Sequence, residues 1–167
     1  MEQRKILVVD DEAIARDNLA FILKKDGYEP LLAENGQQAI DILSREEVDL
    51  VLTDLRMKGQ DGMAVLAEAK KLWPSIEVVV ITGYASVDTA VEAMRQGAYH
   101  YIAKPFKINE LRAIVEKEKK KNLLRKEFHS LRRREQAEGG GASRITGQSQ
   151  KIQGLRETIH QLPQLDR

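Results

Sequence analysis

The sequence predicts an α/β fold with a doubly wound, five-stranded parallel sheet, and two observations carry this prediction. Short apolar, β-rich runs alternate five times with stretches of helical spacing over the first 106 residues. Two of the runs, Ile6–Val9 and Val78–Ile81, are continuously apolar, which is typical of central strands buried on both faces. After residue 107 the composition changes and indicates one long helix.

The five predicted strands are short apolar runs bounded by turn or helix signals. They are Ile6–Val9, Glu29–Ala33, Asp49–Thr53, Ile76–Thr82 and Tyr99–Ala103. The second contains Pro30, which cannot donate a ladder hydrogen bond, so we expect it at an edge of the sheet. The stretches between the strands have apolar residues at helical spacing, as in Ile14–Leu23, Ala39–Leu43, Met63–Leu72 and Val87–Met94.

Composition excludes several classes of protein. Lysine and arginine total 27 against 26 acidic residues, a net charge of +1, so bulk charge indicates neither a nucleic-acid binder nor a membrane-surface protein. The absence of cysteine excludes a disulfide framework. The apolar runs are too short to span a membrane, and we find no signal peptide. We therefore expect a cytoplasmic protein without membrane contact.

Residues 107–138 form a distinct, basic segment with eleven lysines and arginines against six glutamates, a net charge of +5. Neither glycine nor proline interrupts it, and helix formers dominate. The best heptad phase places on one seam Ile114, Lys117, Lys121, Leu124, Phe128, Leu131, Glu135 and Glu138. Half of these are apolar, so we predict a coiled-coil linker that dimerises. The alternative is a solvated, charged helix.

The last residues form two further segments. Gly139–Gly141 ends the helix, and we interpret residues 139–144 as a flexible hinge. Residues 145–167 then contain one amphipathic helix, which is too short to fold alone. We expect it to be the truncated start of another domain.

Polar residues follow four of the predicted strands directly. The first strand ends in Asp10-Asp11-Glu12, the third in Asp54, the fourth in Thr82-Gly83 and the fifth in Lys104-Pro105. In the flavodoxin-like strand order 2-1-3-4-5, the topological switch point lies between the first and third strands, where ligands bind. Three aspartates meeting there would form an oxygen-rich pocket suited to a hard divalent cation.

Each of these residues also has a simpler explanation when taken alone. Asp10 or Asp11 could cap the following helix, and Asp54 could be a turn residue. Thr82-Gly83 could be a plain strand end, and Lys104-Pro105 a charged turn. Their joint placement at the ends of four strands favours a common site.

These motifs resemble the receiver domain of two-component response regulators, with a match from residue 4 to about residue 120, and we place a receiver domain at residues 1–120. The resemblance implies that Asp54 accepts a phosphoryl group from the phosphohistidine of a sensor histidine kinase. It also implies that Asp10, Asp11, Asp54 and the backbone carbonyl of Arg56 hold Mg²⁺.

The resemblance further implies that Thr82 and Lys104 contact the phosphoryl oxygens and that the Lys104–Pro105 peptide bond is cis. Tyr101 stands where the family places a switch aromatic, which moves inward when the threonine is recruited. We expect phosphorylation to alter the surface formed by the fourth helix, the fifth strand and the start of the long helix. A homodimer would form through that surface and through the linker helix.

The tail is similar to the opening of the central AAA+ ATPase domain of sigma-54-dependent, nitrogen-regulator-type transcriptional activators. The G-x-x-x-x-G-K-[ST] phosphate loop of such an ATPase is absent from the sequence. We therefore expect no enzyme activity beyond self-phosphorylation and self-dephosphorylation at Asp54. In the full-length protein, sigma-54 RNA polymerase and DNA would be partners through domains outside this chain, and phosphorylation would control the ATPase.

Three other functions are alternatives. A stand-alone receiver would dock a partner directly, without an attached ATPase. An aspartate-nucleophile phosphatase is disfavoured because enzymes of that class carry their two aspartates two residues apart after one strand. Here the acidic residues after the first strand are adjacent, Asp54 follows the third strand, and no substrate-covering cap is evident. Binding of nucleic acid by the basic helix is disfavoured because glutamates interrupt its positive charges and it shows no aromatic platform for stacking.

Overall fold

The computed structural model describes residues 3–59 and 61–137, with side chains as far as residue 132. The chain divides into two units, Met1–Val115 and Glu116–Arg167. The predicted hinge at 139–144 and the predicted start of a further domain at 145–167 lie outside the described residues.

Strands and helices alternate along the first unit. In chain order they are β1 (Lys5–Val9), α1 (Ala13–Lys25), β2 (Glu29–Ala33), α2 (Gly36–Arg45), β3 (Leu50–Thr53), α3 (Gly62–Leu72), β4 (Glu77–Thr82), α4 (Val87–Arg95), β5 (His100–Ala103) and α5 (Ile108–Ala137). Helices α2, α3 and α4 are capped by the side chains of Asn35, Asp61 and Ser86. Each side chain accepts a hydrogen bond from the backbone N–H three residues later, which satisfies an otherwise unpaired N–H at the helix start.

The five strands form one parallel sheet in the order β2-β1-β3-β4-β5. The predicted fold class and strand order are therefore confirmed. The predicted edge position of the proline-containing strand β2 is confirmed as well. The order reverses between β1 and β3, whose last residues Val9 and Thr53 are paired.

Three strands start one residue later than predicted. Asp49, Ile76 and Tyr99 precede β3, β4 and β5, although the N–H of Asp49 bonds to the carbonyl of Lys5 and that of Tyr99 to Val78. Hydrophobic patterning locates a strand but does not fix its first residue. A residue just before a strand can be apolar or make a backbone hydrogen bond without being paired with a residue of the neighbouring strand.

Both faces of the sheet are covered by helices. On β1, the side chains of Leu7 and Val9 enter a core with α2 and α3, whereas Ile6 and Val8 enter a second core with α1 and the first turns of α5. All four of these side chains are at most 1% exposed. This double burial explains why β1 is continuously apolar, and it anchors the strand that ends in the acidic residues.

In the second unit, α5 continues from Glu116 to Ala137. Leu123, Leu124 and Leu131 on this part are each more than half exposed. The side chains of the predicted seam residues Glu135 and Glu138 lie outside the described part. Among the described helices, none has the length and apolar character needed to cross a bilayer.

Candidate functional site

The site lies at the carboxyl ends of β1 and β3, at the topological switch point. The N–H of Asp54 donates to the carbonyl of Val9 over 2.9 Å, and the N–H of Asp10 donates to the carbonyl of Ala33 over 3.2 Å. These backbone bonds extend the ladder by one residue on each strand. They therefore place the two aspartates side by side where the sheet ends.

Three carboxylates converge in this crevice. Oxygen atoms of Asp10, Asp11 and Asp54 all lie within 4.8 Å of one another. Asp10 is 2% exposed and Asp54 6%, whereas Asp11 lies on the surface. Buried carboxylates at this separation repel one another strongly unless a cation is near.

Lys104 supplies part of that positive charge from the end of β5. Its Nζ donates to Oδ2 of Asp10 over 2.7 Å and to Oδ2 of Asp54 over 3.1 Å. Three formal negative charges and one positive charge leave the pocket at −2. The residues present can therefore hold a metal ion.

The ammonium of Lys104 stays charged in this setting. Burial alone lowers the pKa of Lys104, but its hydrogen bonds to Asp10 and Asp54 and the charges of both carboxylates raise that pKa by more. The pKa of Lys104 therefore lies above its ordinary value of 10.5. The Lys104–Pro105 peptide bond that follows is cis, as the family resemblance implies.

The loop after β3 holds the other oxygen of Asp54. Oδ1 accepts the N–H of Leu55 over 2.6 Å and lies 3.4 Å from the backbone nitrogen of Arg56. Asp54 thus acts partly as a turn residue, while its second oxygen, Oδ2, faces Lys104. The Arg56 guanidinium stacks over the ring of Tyr84, 4.5 Å from its centroid.

Thr82 ends β4 beside this pocket. It is fully buried, and its hydroxyl oxygen accepts the N–H of Tyr84 over 3.0 Å. Its backbone carbonyl accepts the N–H of Lys104 over 2.8 Å. This backbone bond ties the strand end that carries the hydroxyl to the strand end that carries the ammonium.

Tyr101, on β5, is half-buried and packs against the core. Its hydroxyl lies 2.6 Å from the hydroxyl of Thr89 and 3.4 Å from the backbone nitrogen of Ser86. Strand β5 is thus joined to the first turn of α4 by hydrogen bonds. Thr89 was not among the residues that the sequence singled out.

Neither Asp10 nor Asp11 caps α1, which was the simpler explanation for these two residues. The residue that precedes α1 is Glu12, and its side chain makes no capping bond. Asp10 instead accepts the Glu12 N–H over 2.9 Å through Oδ1, while its other oxygen is bonded to Lys104. Both oxygens of Asp10 are therefore held in the pocket.

Two further residues support the site and were missed in the sequence. Arg16 on α1 donates from Nη1 to the carbonyl of Asp10 over 2.8 Å. Gly62 opens α3 so close to the end of β3 that a Cβ there would lie 2.1 Å from the carbonyl oxygen of Asp54. An arginine six residues after Asp10 and a glycine directly after a capping aspartate were the available signals.

A doubly wound α/β domain carries an acidic, cation-ready pocket at its switch point, with a lysine and a buried hydroxyl from neighbouring strand ends. Residues 6–116 match the family model described as the response regulator receiver domain. The chain therefore belongs to the receiver domain family of two-component response regulators.

Known relatives agree with this assignment. The chain is 45% identical to the transcriptional regulatory protein ZraR of Escherichia coli, over 67% of this chain and 25% of that protein. It is 40% identical to sporulation initiation phosphotransferase F of Bacillus subtilis, over 70% of this chain and 94% of that protein. The crystal structure of NtrX from Brucella abortus in complex with ADP matches with a TM-score of 0.72 and 38% identity, covering 78% of this chain and 30% of that one.

Proposed function

We propose that Asp54 is the residue that accepts a phosphoryl group, delivered from the phosphohistidine of a sensor histidine kinase. The observation that supports this most strongly is the position of Lys104, whose ammonium bonds to both buried aspartates at once. A lysine in this position can stabilise negative charge on the carboxylates and also on the oxygens of an incoming phosphoryl group.

The pocket fits Mg²⁺, which prefers oxygen ligands and keeps several waters. Asp10, Asp11 and Asp54 would provide carboxylate oxygens, and Arg56 would add its backbone carbonyl. When bound, Mg²⁺ would supply positive charge opposite the oxygens of the transferred group. The net charge of −2 in the pocket and its oxygen-only donor set support this choice of ion.

The transfer needs little from the protein besides position and charge. A carboxylate oxygen of Asp54 forms a bond to phosphorus while the bond from phosphorus to the donor nitrogen breaks, and that nitrogen keeps the electron pair. An ionised carboxylate needs no general base. Lys104 stabilises charge on the phosphoryl oxygens, which is the main contribution such sites make.

Thr82 and Tyr101 would turn this modification into a change of surface. The Thr82 hydroxyl would bind a phosphoryl oxygen and leave the N–H of Tyr84. Tyr101 would move into the space beside it and change its bond to Thr89. The surface of α4, β5 and the start of α5 would then differ between the two states.

We further propose that the chain forms a homodimer through α5 and the α4–β5 surface. Exposed apolar side chains on both elements support this, among them Val87 and Val91 on α4 and Leu124 and Leu131 on α5. In the full-length protein the dimer would control a sigma-54 activator ATPase, which would act on sigma-54 RNA polymerase and on DNA through domains outside this chain. The ZraR relative, a transcriptional regulatory protein, supports the link to transcription.

Point substitutions test the dimer better than truncation at residue 107, because Leu111 and Ile114 of α5 belong to the core of the first unit. We expect the double variant Leu124→Lys/Leu131→Lys to sediment as a monomer where the wild type is a dimer. Ser130→Lys adds one of these two positive charges off the predicted seam and should leave the dimer intact. A wild-type monomer with and without beryllofluoride would contradict the proposal.

Intact-mass spectrometry tests the acceptor residue. With acetyl phosphate and Mg²⁺, we expect the mass to rise by one phosphoryl group in the wild type and not in Asp54→Asn. Asp61→Asn is the matched control, because asparagine also caps helices and Asp61 lies outside the pocket. Full labelling of Asp54→Asn would refute the proposal.

A stand-alone receiver that docks its partner directly is the second candidate. The observation in its favour is that the chain covers 94% of sporulation initiation phosphotransferase F. This candidate predicts labelling at Asp54 without any change in sedimentation. The same pair of experiments therefore separates the two candidates.

A further inference from the structure

Arg16 holds the backbone at the end of β1 from the second turn of α1. Its Nη1 donates to the carbonyl oxygen of Asp10 over 2.8 Å, and its Nη2 lies 3.8 Å from a carboxylate oxygen of Glu34. The Arg16 side chain is only 12% exposed, whereas that of Glu34 is 66% exposed. The bond to Asp10 is therefore the better shielded of the two contacts.

We propose that Arg16 is a positioning residue that fixes the peptide between Asp10 and Asp11 and so aims the carboxylate of Asp11 into the cation site. This inference rests on the proposed function, because it assumes that the three aspartates bind Mg²⁺. Arg16 lies outside the acidic cluster, so its loss would weaken Mg²⁺ binding without removing a metal ligand.

The two adjacent aspartates are held very differently. Asp10 is fixed through its N–H to Ala33 and through both carboxylate oxygens, to the N–H of Glu12 and to Lys104. Within the part of the chain that the structure describes, the Asp11 carboxylate has no hydrogen bond or ion pair. Its direction therefore depends on the backbone that carries it.

That backbone is the peptide whose oxygen Arg16 holds. A rotation of this peptide would turn the Cα–Cβ direction of Asp11 away from Asp10 and Asp54, and the 4.8 Å grouping of the three carboxylates would open. The guanidinium prevents the rotation by a charge-assisted bond to the carbonyl. Groups that orient metal ligands in this way commonly change metal affinity by about 10- to 100-fold when they are removed.

Charge and position predict opposite effects at this residue, which makes the inference testable. Arg16 is a cation near three carboxylates, so its charge alone opposes the binding of another cation. If charge were its only role, Arg16→Met would bind Mg²⁺ more tightly. If it positions Asp11, Arg16→Met binds Mg²⁺ more weakly in spite of the lost positive charge.

The experiment is calorimetric titration of the full chain with Mg²⁺. We expect the Kd to rise about tenfold or more in Arg16→Met. Arg16→Lys keeps the charge but not the forked donor, so it should also bind more weakly, by a smaller factor. Glu34→Gln removes the exposed ion pair and leaves the bond to Asp10, and we expect it to stay within about twofold of the wild type.

Two further readouts separate positioning from a general loss of structure. The labelling rate of Arg16→Met with acetyl phosphate should approach the wild-type rate at saturating Mg²⁺, since no ligand is lost. The amide NMR signal of Glu12, whose N–H bonds to Asp10, should shift in Arg16→Met and not in Glu34→Gln. Arg16→Lys carries the same test if Arg16→Met does not fold.

The outcomes distinguish the inference from the function on which it rests. Wild-type affinity in both Arg16 variants, tighter binding in Arg16→Met, or an equal loss in Glu34→Gln would overturn the positioning role while leaving the Mg²⁺ site in place. A wild-type chain that gives no heat of binding would overturn both the site and the inference.

Discussion

Gly62 occupies the first position of α3, where alanine would normally be a favourable replacement. Glycine costs a helix about 0.5–1 kcal/mol relative to alanine, because its unfolded backbone has more freedom to lose. Propensity alone therefore predicts that Gly62→Ala stabilises the protein. The structure predicts the opposite sign.

The magnitude follows from three distances. A Cβ on Gly62 would lie 2.1 Å from the carbonyl oxygen of Asp54, 2.9 Å from Cα of Leu55 and 3.0 Å from the carbonyl carbon of Asp54. Real Cβ contacts stay above 3.0 Å, so the backbone must separate by about 0.9 Å from that oxygen. All three contacts are backbone atoms, so no side chain can turn away. Overpacking of this kind costs about 1–3 kcal/mol.

The same movement displaces the proposed nucleophile. The N–H of Gly62 donates to the carbonyl of Leu55 over 2.8 Å, so α3 cannot shift without carrying or straining Leu55, the residue that follows Asp54. A displacement of about 1 Å at a reacting group can lower a rate by roughly 10²-fold. We expect Gly62→Ala to label with acetyl phosphate ten to a hundred times more slowly than the wild type.

Two assays on one variant and one control test this reasoning. Denaturant unfolding gives the stability, and the time course of intact mass gives the labelling rate. Val65→Ala is the control, because it removes buried methyl groups from the same helix and should cost about 1.5–3 kcal/mol without bringing any atom closer to Asp54. We expect it to label at the wild-type rate while folded. A Gly62→Ala variant that is more stable than wild type, or one that labels as fast, would refute the reasoning.

Two other substitutions give distinct predictions. Lys104→Met leaves two buried carboxylates without their cation, so we expect the variant to lose about 1–3 kcal/mol of stability in EDTA. We also expect Mg²⁺ to stabilise the variant more than it stabilises the wild type. Equal stabilisation of both proteins by Mg²⁺ in denaturant unfolding would contradict this. Because the folded-state pKa of Lys104 lies above 10.5, the wild-type advantage should be complete below about pH 10.5 and disappear as the pH rises through that pKa. We expect the stacked pair of Arg56 and Tyr84, which lie two residues after Asp54 and Thr82, to shield the phosphoryl group from water. Tyr84→Ala removes this stack, which is worth about 0.5–1 kcal/mol, so the phosphoryl group should be lost about two to five times faster by intact mass. Tyr84→Phe keeps the ring and should match the wild type, and an unchanged lifetime in Tyr84→Ala would argue against the shielding.

Much of the fold follows from local patterns in the sequence. The continuous apolar run of β1 and the proline of β2 predict a central and an edge strand, because burial on both faces and a missing N–H act on each strand by itself. The convergence of Asp10, Asp54 and Lys104 also follows from sequence, since parallel strands end at one edge of the sheet. The pattern within each strand and the residue that follows it were enough to predict these features.

The supporting residues could not be predicted in this way. Arg16 looks like an ordinary helix residue until α1 is packed against the sheet and its guanidinium reaches the carbonyl of Asp10. Gly62 looks like a turn glycine until α3 is seen to lie so close to β3 that an added Cβ would be 2.1 Å from the carbonyl oxygen of Asp54. The bond between Tyr101 and Thr89 likewise joins two elements. Such contacts depend on the distance between elements, which periodicity does not contain.

Chemical mapping of the phosphoryl group is the most direct test of whether Asp54 carries it. Sodium borohydride reduces an aspartyl phosphate to homoserine, which peptide mass spectrometry can assign to one position. After treatment with acetyl phosphate and Mg²⁺, we predict homoserine at position 54 and none when EDTA replaces Mg²⁺. Homoserine at Asp10, Asp11 or Asp61, or a phosphorylated chain that yields none, would contradict the account.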